Sequence, residues 1–309
     1  MLFLIHLRMK VCVIGASGQV GRPLMDELLK LGHEVRAVTR SSNSQYEAMQ
    51  QRGVDVRVID ITSEQETTDA FQSCDVVISV VRADSETIEK LQPIWLKSAV
   101  QANVSRFVPT EYGCHTRAAN FGDCVLLDCK KRFQEKLLSS GIQWTLIYPG
   151  GFHDYFLPNL RYWDKITTFG DLDIPIYTHA VDDIGRIIAR IITDSRTVNK
   201  CVQLDYYSLT QNKMLQLLKE YYPDANFEYE HYSPEKILEL RESSGDSITA
   251  KKGAESDRER WGLNYVIYVL GKLACFTEET LRASELYPDY NPKKPEESLS
   301  DKEFVFGKQ

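Results

Sequence analysis

Val11-Cys12-Val13-Ile14-Gly15-Ala16-Ser17-Gly18-Gln19-Val20-Gly21-Arg22 is the stretch on which the fold turns. Four apolar residues read as a buried strand, and residues 22–31 read as a helix with Leu24, Leu28 and Leu31 on one face. Between them stand three glycines at a spacing of three. Gly15 permits the tight turn, Gly18 lets a ligand's diphosphate approach the backbone, and Gly21 allows the helix to pack closely on the sheet. The helix start then offers unpaired N–H groups and the positive end of its dipole to an anion. Ser17, Gln19 and Val20 complete the loop and are read as dinucleotide contacts with the three glycines.

Working outward, strand-like runs at 34–39, 54–59, 75–81, 106–109 and 144–148 alternate with helical stretches at 45–51, 64–73 and 85–103. Another helix is expected after Lys130, ending at Ser140-Gly141. Single helices between strands imply parallel crossovers, so the fold class is α/β: a Rossmann-type, doubly wound parallel sheet. Beyond it, 182–192 is an amphipathic helix and 201–204 a returning strand of the main sheet, while 209–222 and 234–241 read as helices. Polar residues 243–260 read as a loop or cover, and the proline-bearing tail from Pro288 as a surface strap. The expected division is a nucleotide domain over 9–155 with 181–205 returning to it. A smaller, partly discontinuous substrate domain takes 156–180 and 206–309.

The second strand ends Thr39-Arg40-Ser41-Ser42 rather than in an acid. A carboxylate there would accept from a ribose 2′-OH and repel a 2′-phosphate, whereas a guanidinium beside hydroxyls suits the phosphate. Arg40 and Ser41 therefore point to NADP(H), with Arg22 as a second cation. Asp60, ending the third strand, is a candidate for the adenine edge, and a helix-capping role competes for it.

Composition narrows the function classes. The balance of 37 basic against 44 acidic side chains leaves no basic face for nucleic acid. Seven scattered cysteines without a C-x-x-C pair argue against a disulfide framework and a structural zinc, and fit a reducing, cytoplasmic setting. No apolar run approaches the roughly 20 residues a membrane span needs. Residues 2–7 are apolar but too short for a signal segment, and Met9 is a second candidate start. No metal-ligand spacing stands out, and nothing separates a monomer from a homodimer.

At this point the sequence resembles the NmrA-like, isoflavone reductase-like branch of the atypical short-chain dehydrogenases, over nearly its whole length. The landmarks are Gly15–Gly21, 38–41, Arg106-Phe107-Val108-Pro109-Thr110-Glu111-Tyr112-Gly113, Lys130, 141–145, 152–156, 181–185 and Leu286-Tyr287-Pro288-Asp289. Members include phenylcoumaran benzylic ether, pinoresinol–lariciresinol and isoflavone reductases, and fungal aromatic alcohol reductases. The resemblance implies an NADPH-dependent oxidoreductase of secondary metabolism, acting on an aromatic or conjugated small molecule. It implies that Lys130 is the active-site lysine, with Lys131 one residue away as its competitor. Thr110 stands for the family's serine at the nicotinamide end, and Glu111, Tyr112 and Phe152 fall at the substrate side. Pro149-Gly150-Gly151 departs from the family pattern. The short-chain dehydrogenase tyrosine is missing: Tyr232/Lys236 and Tyr268/Lys272 have the Y-x-x-x-K spacing but lie far beyond the nucleotide half.

Two histidines, His115 and His153, are candidate proton donors or pocket walls, with plain packing as the alternative. Tyr148, Tyr155, Phe156 and Trp163 crowd the same stretch, as core or as walls for a flat ligand. Three functions compete: a reductase using Lys130 for proton transfer, a non-catalytic NADP-sensing regulator, and a non-redox dehydratase or isomerase. The lysine favours an enzyme, because a sensor needs the phosphate loop but no proton-transfer group.

Overall fold

The computed structural model describes residues 8–161, 164–243 and 257–307. Its first half runs β1 (Lys10–Ile14), α1 (Gly21–Lys30), β2 (Glu34–Thr39), α2 (Ser44–Gln51), β3 (Asp55–Val58), α3 (Glu64–Phe71), β4 (Val76–Ser79), α4 (Gln92–Gln101), β5 (Arg106–Val108), α5 (Val125–Ser139) and β6 (Gln143–Tyr148). There follow β7 (Gly151–Phe152), α6 (His153–Phe156), β8 (Ile166–Phe169), β9 (Ile176–His179), α7 (Val181–Thr193), β10 (Lys200–Gln203), β11 (Ser208–Leu209), α8 (Gln211–Tyr221), β12 (Tyr229–Tyr232) and α9 (Pro234–Ser243). The chain ends with α10 (Asp257–Tyr268), β13 (Thr280–Arg282), α11 (Ala283–Leu286), α12 (Pro295–Leu299) and α13 (Lys302–Phe306).

The main sheet has the order β13-β10-β6-β5-β4-β1-β2-β3. β1 is parallel to both β2 and β4, with Val13 opposite Ala37 on one side and Ile78 on the other. Covered on both faces, its Val11–Ile14 run is wholly buried, which is why it reads as continuous apolar sequence rather than alternation. Strand order reverses between β1 and β4, and such a switch point opens a crevice at the carboxyl ends of the strands. α7 is pressed onto α1: a Cβ on Gly185 would stand 2.5 Å from Pro23 and 2.8 Å from the Val20 carbonyl. Ile184, Ile187, Ile188 and Ile191 bury its apolar face, as their spacing predicts.

By compactness the chain divides into two units. The first holds the residues up to Thr110, Phe133–Leu146 and Asp182–Cys201; the second holds Glu111–Arg132, Ile147–Val181 and the residues from Val202. The second unit carries two further small sheets, β11-β9-β7 and the parallel pair β12-β8.

Several expectations need correction. α5 begins at Val125 rather than after Lys130, because buried Leu126 and Leu127 already belong to its inward face. Of the polar stretch 243–260, residues 244–256 lie outside the described residues, as do 2–7 and Trp163. Asp257–Arg260, expected as loop, instead open α10, where Val266 is fully buried and Trp261 and Ile267 nearly so. The tail is not merely a surface strap: α12 and α13 bury Leu299 and Val305 completely. β13 was not anticipated, being three residues without alternation. Among the described residues no helix is long and apolar enough to cross a membrane.

Candidate active site

In the first unit the glycine loop joins β1 to α1. Gly15 has φ +94°, a left-handed conformation that favours glycine, and its carbonyl accepts from the Gly18 N–H at 3.0 Å. A Cβ on Gly21 would lie 2.2 Å from that same carbonyl oxygen, so glycine is required there by contact. Gly18 and Gln19 are exposed, and a Cβ on Gly18 would meet its nearest atom only at 3.2 Å. Val20 is buried at the N-cap, and the Ser17 hydroxyl donates to Tyr46 of α2 at 3.1 Å, tying the loop down.

The start of α1 carries no side-chain cap and no acid in its first turn. Those of α2 and α3, by contrast, are closed by Asn43 and Ser63. Arg22 and Arg40 are exposed, and among the described residues neither guanidinium has a carboxylate partner. Open N–H groups, an outward-facing glycine and two unneutralised cations fit an anionic diphosphate carrying a further phosphate. Ser41 is exposed, with its carbonyl accepting from the Thr39 hydroxyl at 2.8 Å. Asp60 spends Oδ1 on the N–H and hydroxyl of Thr62, at 2.9 and 2.7 Å, in the turn leading to α3. Those bonds hold its carboxyl below the usual carboxylate range. Thr110 is fully buried: its N–H donates to Gln92 at 2.7 Å and its hydroxyl to the Val81 carbonyl at 2.8 Å.

In the second unit, Lys130 is 1% exposed. Its Nζ donates to the carbonyls of Tyr112 at 3.1 Å and Glu111 at 3.3 Å. Lys131, one position on, turns away to the Ala119 carbonyl and the Phe121 ring. The Glu111 carboxylate is buried and accepts from the Thr116 hydroxyl at 2.7 Å, which braces the loop whose carbonyls hold the lysine. Tyr112 packs edge-on to Phe152, ring centres 6.5 Å apart, and Phe152 lies 6.4 Å from the half-exposed Tyr155. Burial pushes the Tyr112 phenol up. One aromatic row thus runs out from the lysine's carbonyl clamp.

Both histidines are packed inside the second unit. His115 stacks on Tyr148 at 4.2 Å and pairs through Nε2 with Thr280 at 2.7 Å. His153 pairs through Nδ1 with Ser298 of α12 at 2.9 Å. Burial lowers them to about 4 and about 3 respectively, so both are neutral at pH 7, with repulsion from Arg117 adding at His115 and from His179 at His153. Their folded values lie below the unfolded value of about 6.5. The stability they contribute is therefore complete above about pH 6.5 and is lost as the pH falls toward the folded values. Denaturant titrations should show stability falling by about 1.4 kcal/mol per pH unit for each histidine between roughly pH 6 and 5. His115→Phe should remove its share of the slope. Equal stability at pH 6.5 and 5 would contradict this account.

Gln92 and Thr116 anchor the ends of the site loop, and sequence reasoning missed both, because a buried amide or hydroxyl at a helix start carries no pattern. Tyr232 and Tyr268, the chance Y-x-x-x-K tyrosines, stack on Phe169 at 5.6 and 5.3 Å.

Residues 8–294 match the family model of the NmrA-like family. The isoflavone reductase homolog P3 of Arabidopsis thaliana is 25% identical, over 94% of this chain and 97% of that one. The phenylcoumaran benzylic ether reductase Betv6 of Betula pendula is 26% identical over the same shares. Among solved structures, AtPrR2 with NADP+ and (+)pinoresinol superposes with a TM-score of 0.78 at 24% identity, covering 95% of this chain and 98% of that one. The leucoanthocyanidin reductase–NADPH complex of Vitis vinifera gives 0.78 at 18%, covering 94% and 98%. At these identities the solved structures establish the fold.

Proposed function

Because this chain belongs to the NmrA-like family, we propose that it is an NADPH-dependent reductase of an aromatic or conjugated small molecule. The observation that carries the reading is Lys130, an amine buried to 1% exposure and fixed by two backbone carbonyls beside a row of aromatic rings. An amine kept from water and held at a defined point serves proton transfer to a bound oxygen rather than solubility. Gly15, Ser17, Gly18, Gln19, Val20 and Gly21 hold the diphosphate, Arg40 and Ser41 take the 2′-phosphate, and Asp60 stands toward the adenine. Thr110 sets the end of β5. When bound, NADPH supplies a hydride to the substrate's electrophilic carbon. Lys130 gives a proton to the substrate oxygen, while Tyr112, Phe152 and Tyr155 offer ring faces to a planar molecule. Glu111 and His153 act from behind this surface, as the brace of the lysine loop and the anchor of α12. The names of the relatives, reductases of phenylcoumaran and isoflavone type, support the same class.

Cofactor choice is testable directly. NADPH should bind at least about tenfold tighter than NADH, about 1.4 kcal/mol, which one phosphate–guanidinium contact supplies. Arg40→Ala should erase most of that preference and leave NADH affinity nearly unchanged; equal affinities in the parent protein would sink it. Activity is tested by following NADPH fluorescence against aromatic carbonyls, enones, benzylic ethers and sugar nucleotides. Turnover confined to sugar nucleotides contradicts the substrate class, and no turnover of any with tight NADPH binding favours a sensor.

A further inference from the structure

The first unit carries two phosphate-binding segments that are well apart in sequence. The glycine loop, residues 15–20, follows β1, and Arg40-Ser41-Ser42 follows β2. On the reductase reading NADPH meets both at once, because its diphosphate and its 2′-phosphate belong to one molecule. NADH has no 2′-phosphate and meets only the first. Whatever fixes one segment against the other therefore bears on NADPH far more than on NADH.

Residues 40–42 have little freedom of their own. At their start, the Thr39 hydroxyl donates to the Ser41 carbonyl at 2.8 Å and accepts from the Ser41 N–H at 3.3 Å. At their end, the Asn43 side chain caps α2, accepting from the N–H groups of Gln45 at 3.0 Å and Tyr46 at 3.3 Å. The segment is thus carried on the start of α2 and goes where that helix goes. Of the eight residues of α2 only Tyr46 and Met49 are buried, and a helix this short is held mainly by what it packs against. At the far end Arg52 pairs with Asp26 of α1 at 2.6 Å, but both side chains are at least half exposed, and such pairs hold weakly. At the near end the Ser17 hydroxyl donates to the Tyr46 hydroxyl at 3.1 Å, which joins the glycine loop to α2 directly. Tyr46 is 4% exposed, so this bond lies apart from bulk water and is the firmer for it.

We propose that Tyr46 is a positioning residue for cofactor choice: its hydroxyl, held by Ser17, sets the start of α2, and with it Arg40 and Ser41, at the spacing from the glycine loop that NADPH spans. The proposal rests on the reading that Arg40 and Ser41 take the 2′-phosphate, and it gives Tyr46 no contact with the ligand. A hydroxyl that merely supported the loop would affect both cofactors or neither. One that sets the spacing of the two segments acts on NADPH alone.

Tyr46→Phe keeps the ring and removes only the hydroxyl. Calorimetric titration of the full-length protein should show NADPH affinity reduced about fivefold, the loss expected for one neutral hydrogen bond, with NADH affinity within about twofold of the parent. In an Arg40→Ala background the same substitution should leave NADPH affinity within about twofold, because the contact it positions is already gone. Thermal unfolding beside the titrations fixes a temperature at which every variant is folded. The proposal is overturned if Tyr46→Phe leaves NADPH affinity unchanged, or if NADH affinity falls as far, which would make the hydroxyl a support or contact of the diphosphate. It is equally overturned if the Arg40→Ala background shows the full fivefold loss. A parent protein that binds NADPH and NADH alike removes the 2′-phosphate reading and the proposal together. A parent preference for NADPH that survives Tyr46→Phe intact removes the proposal alone.

Discussion

Lys130→Ala is expected to lower NADPH-dependent turnover by about 10² or more while NADPH affinity stays within a few-fold, the usual consequence of removing a positioned acid or base. The geometry makes the loss specific. An ammonium has three N–H donors, and two of those on Lys130 are taken by the carbonyls of Glu111 and Tyr112. The acceptors are backbone atoms of a loop braced by Glu111 and Thr116, so the third donor has a fixed direction. On the reductase reading, that donor is the one that serves the substrate oxygen. Lys130→Arg should not rescue activity, because a planar fork cannot reproduce one point donor held by two carbonyls. The alanine variant also deprives the Glu111 and Tyr112 carbonyls of their bonds from the lysine, at a cost of about 1–3 kcal/mol. Thermal unfolding must therefore be measured beside the rates, at a temperature where both proteins are folded. Lys131→Ala, which loses the Ala119 carbonyl, a contact with an exposed ring and the attraction of Asp123 and Asp128, should change turnover little. If the two phenotypes are exchanged, the lysine assignment is wrong by one residue. If neither variant loses activity, proton transfer does not run through this helix.

How far the molecule could be read in advance follows from which interactions are local. β1, the glycine turn and α1 are contiguous, and each residue's role is set by neighbours within a dozen positions, so glycine spacing and strand burial could be seen in the sequence. β2 was legible to the residue for the same reason, and the returning strand β10 because its residues are apolar between clear helix signals. The second unit is built otherwise. β8 pairs with β12 more than sixty positions away, with Phe169 opposite Tyr232, and neither strand alternates clearly. β13 joins the main sheet with three residues. His153 could be named as a candidate, but that its ring is closed off by Ser298, 145 positions on, depends on where the tail folds. The lysine was found through a resemblance; what holds it, two carbonyls of the preceding loop, has no side-chain signature at all.

Gly21→Ala should weaken NADPH binding by about 10² and lower thermal stability in the same variant, whereas Gly18→Ala should do only the first. Neither residue has positive φ, so backbone strain does not separate them. What a Cβ would meet does. At Gly21 it would stand 2.2 Å from the Gly15 carbonyl oxygen and 2.7 Å from that of Ala16. Both are backbone atoms of the turn and cannot rotate aside. α1 would have to lift from the end of β1, yet α7 holds it in place, with Gly185 tight against Pro23 and the Val20 carbonyl. Overpacking of this kind costs about 1–3 kcal/mol, occasionally more. The same displacement carries the open helix start away from the diphosphate, and about 2.7 kcal/mol of lost binding is the hundredfold expected. At Gly18 the added methyl meets protein first at 3.2 Å, a contact that a few tenths of an ångström relieve. It would stand instead on the exposed side of the loop, where the proposed binding mode puts the ligand's phosphates. Calorimetric titration with NADPH beside thermal unfolding distinguishes the two. Should Gly18→Ala unfold early while Gly21→Ala stays as stable as the parent, the glycines' roles are reversed and the loop does not meet its ligand at Gly18.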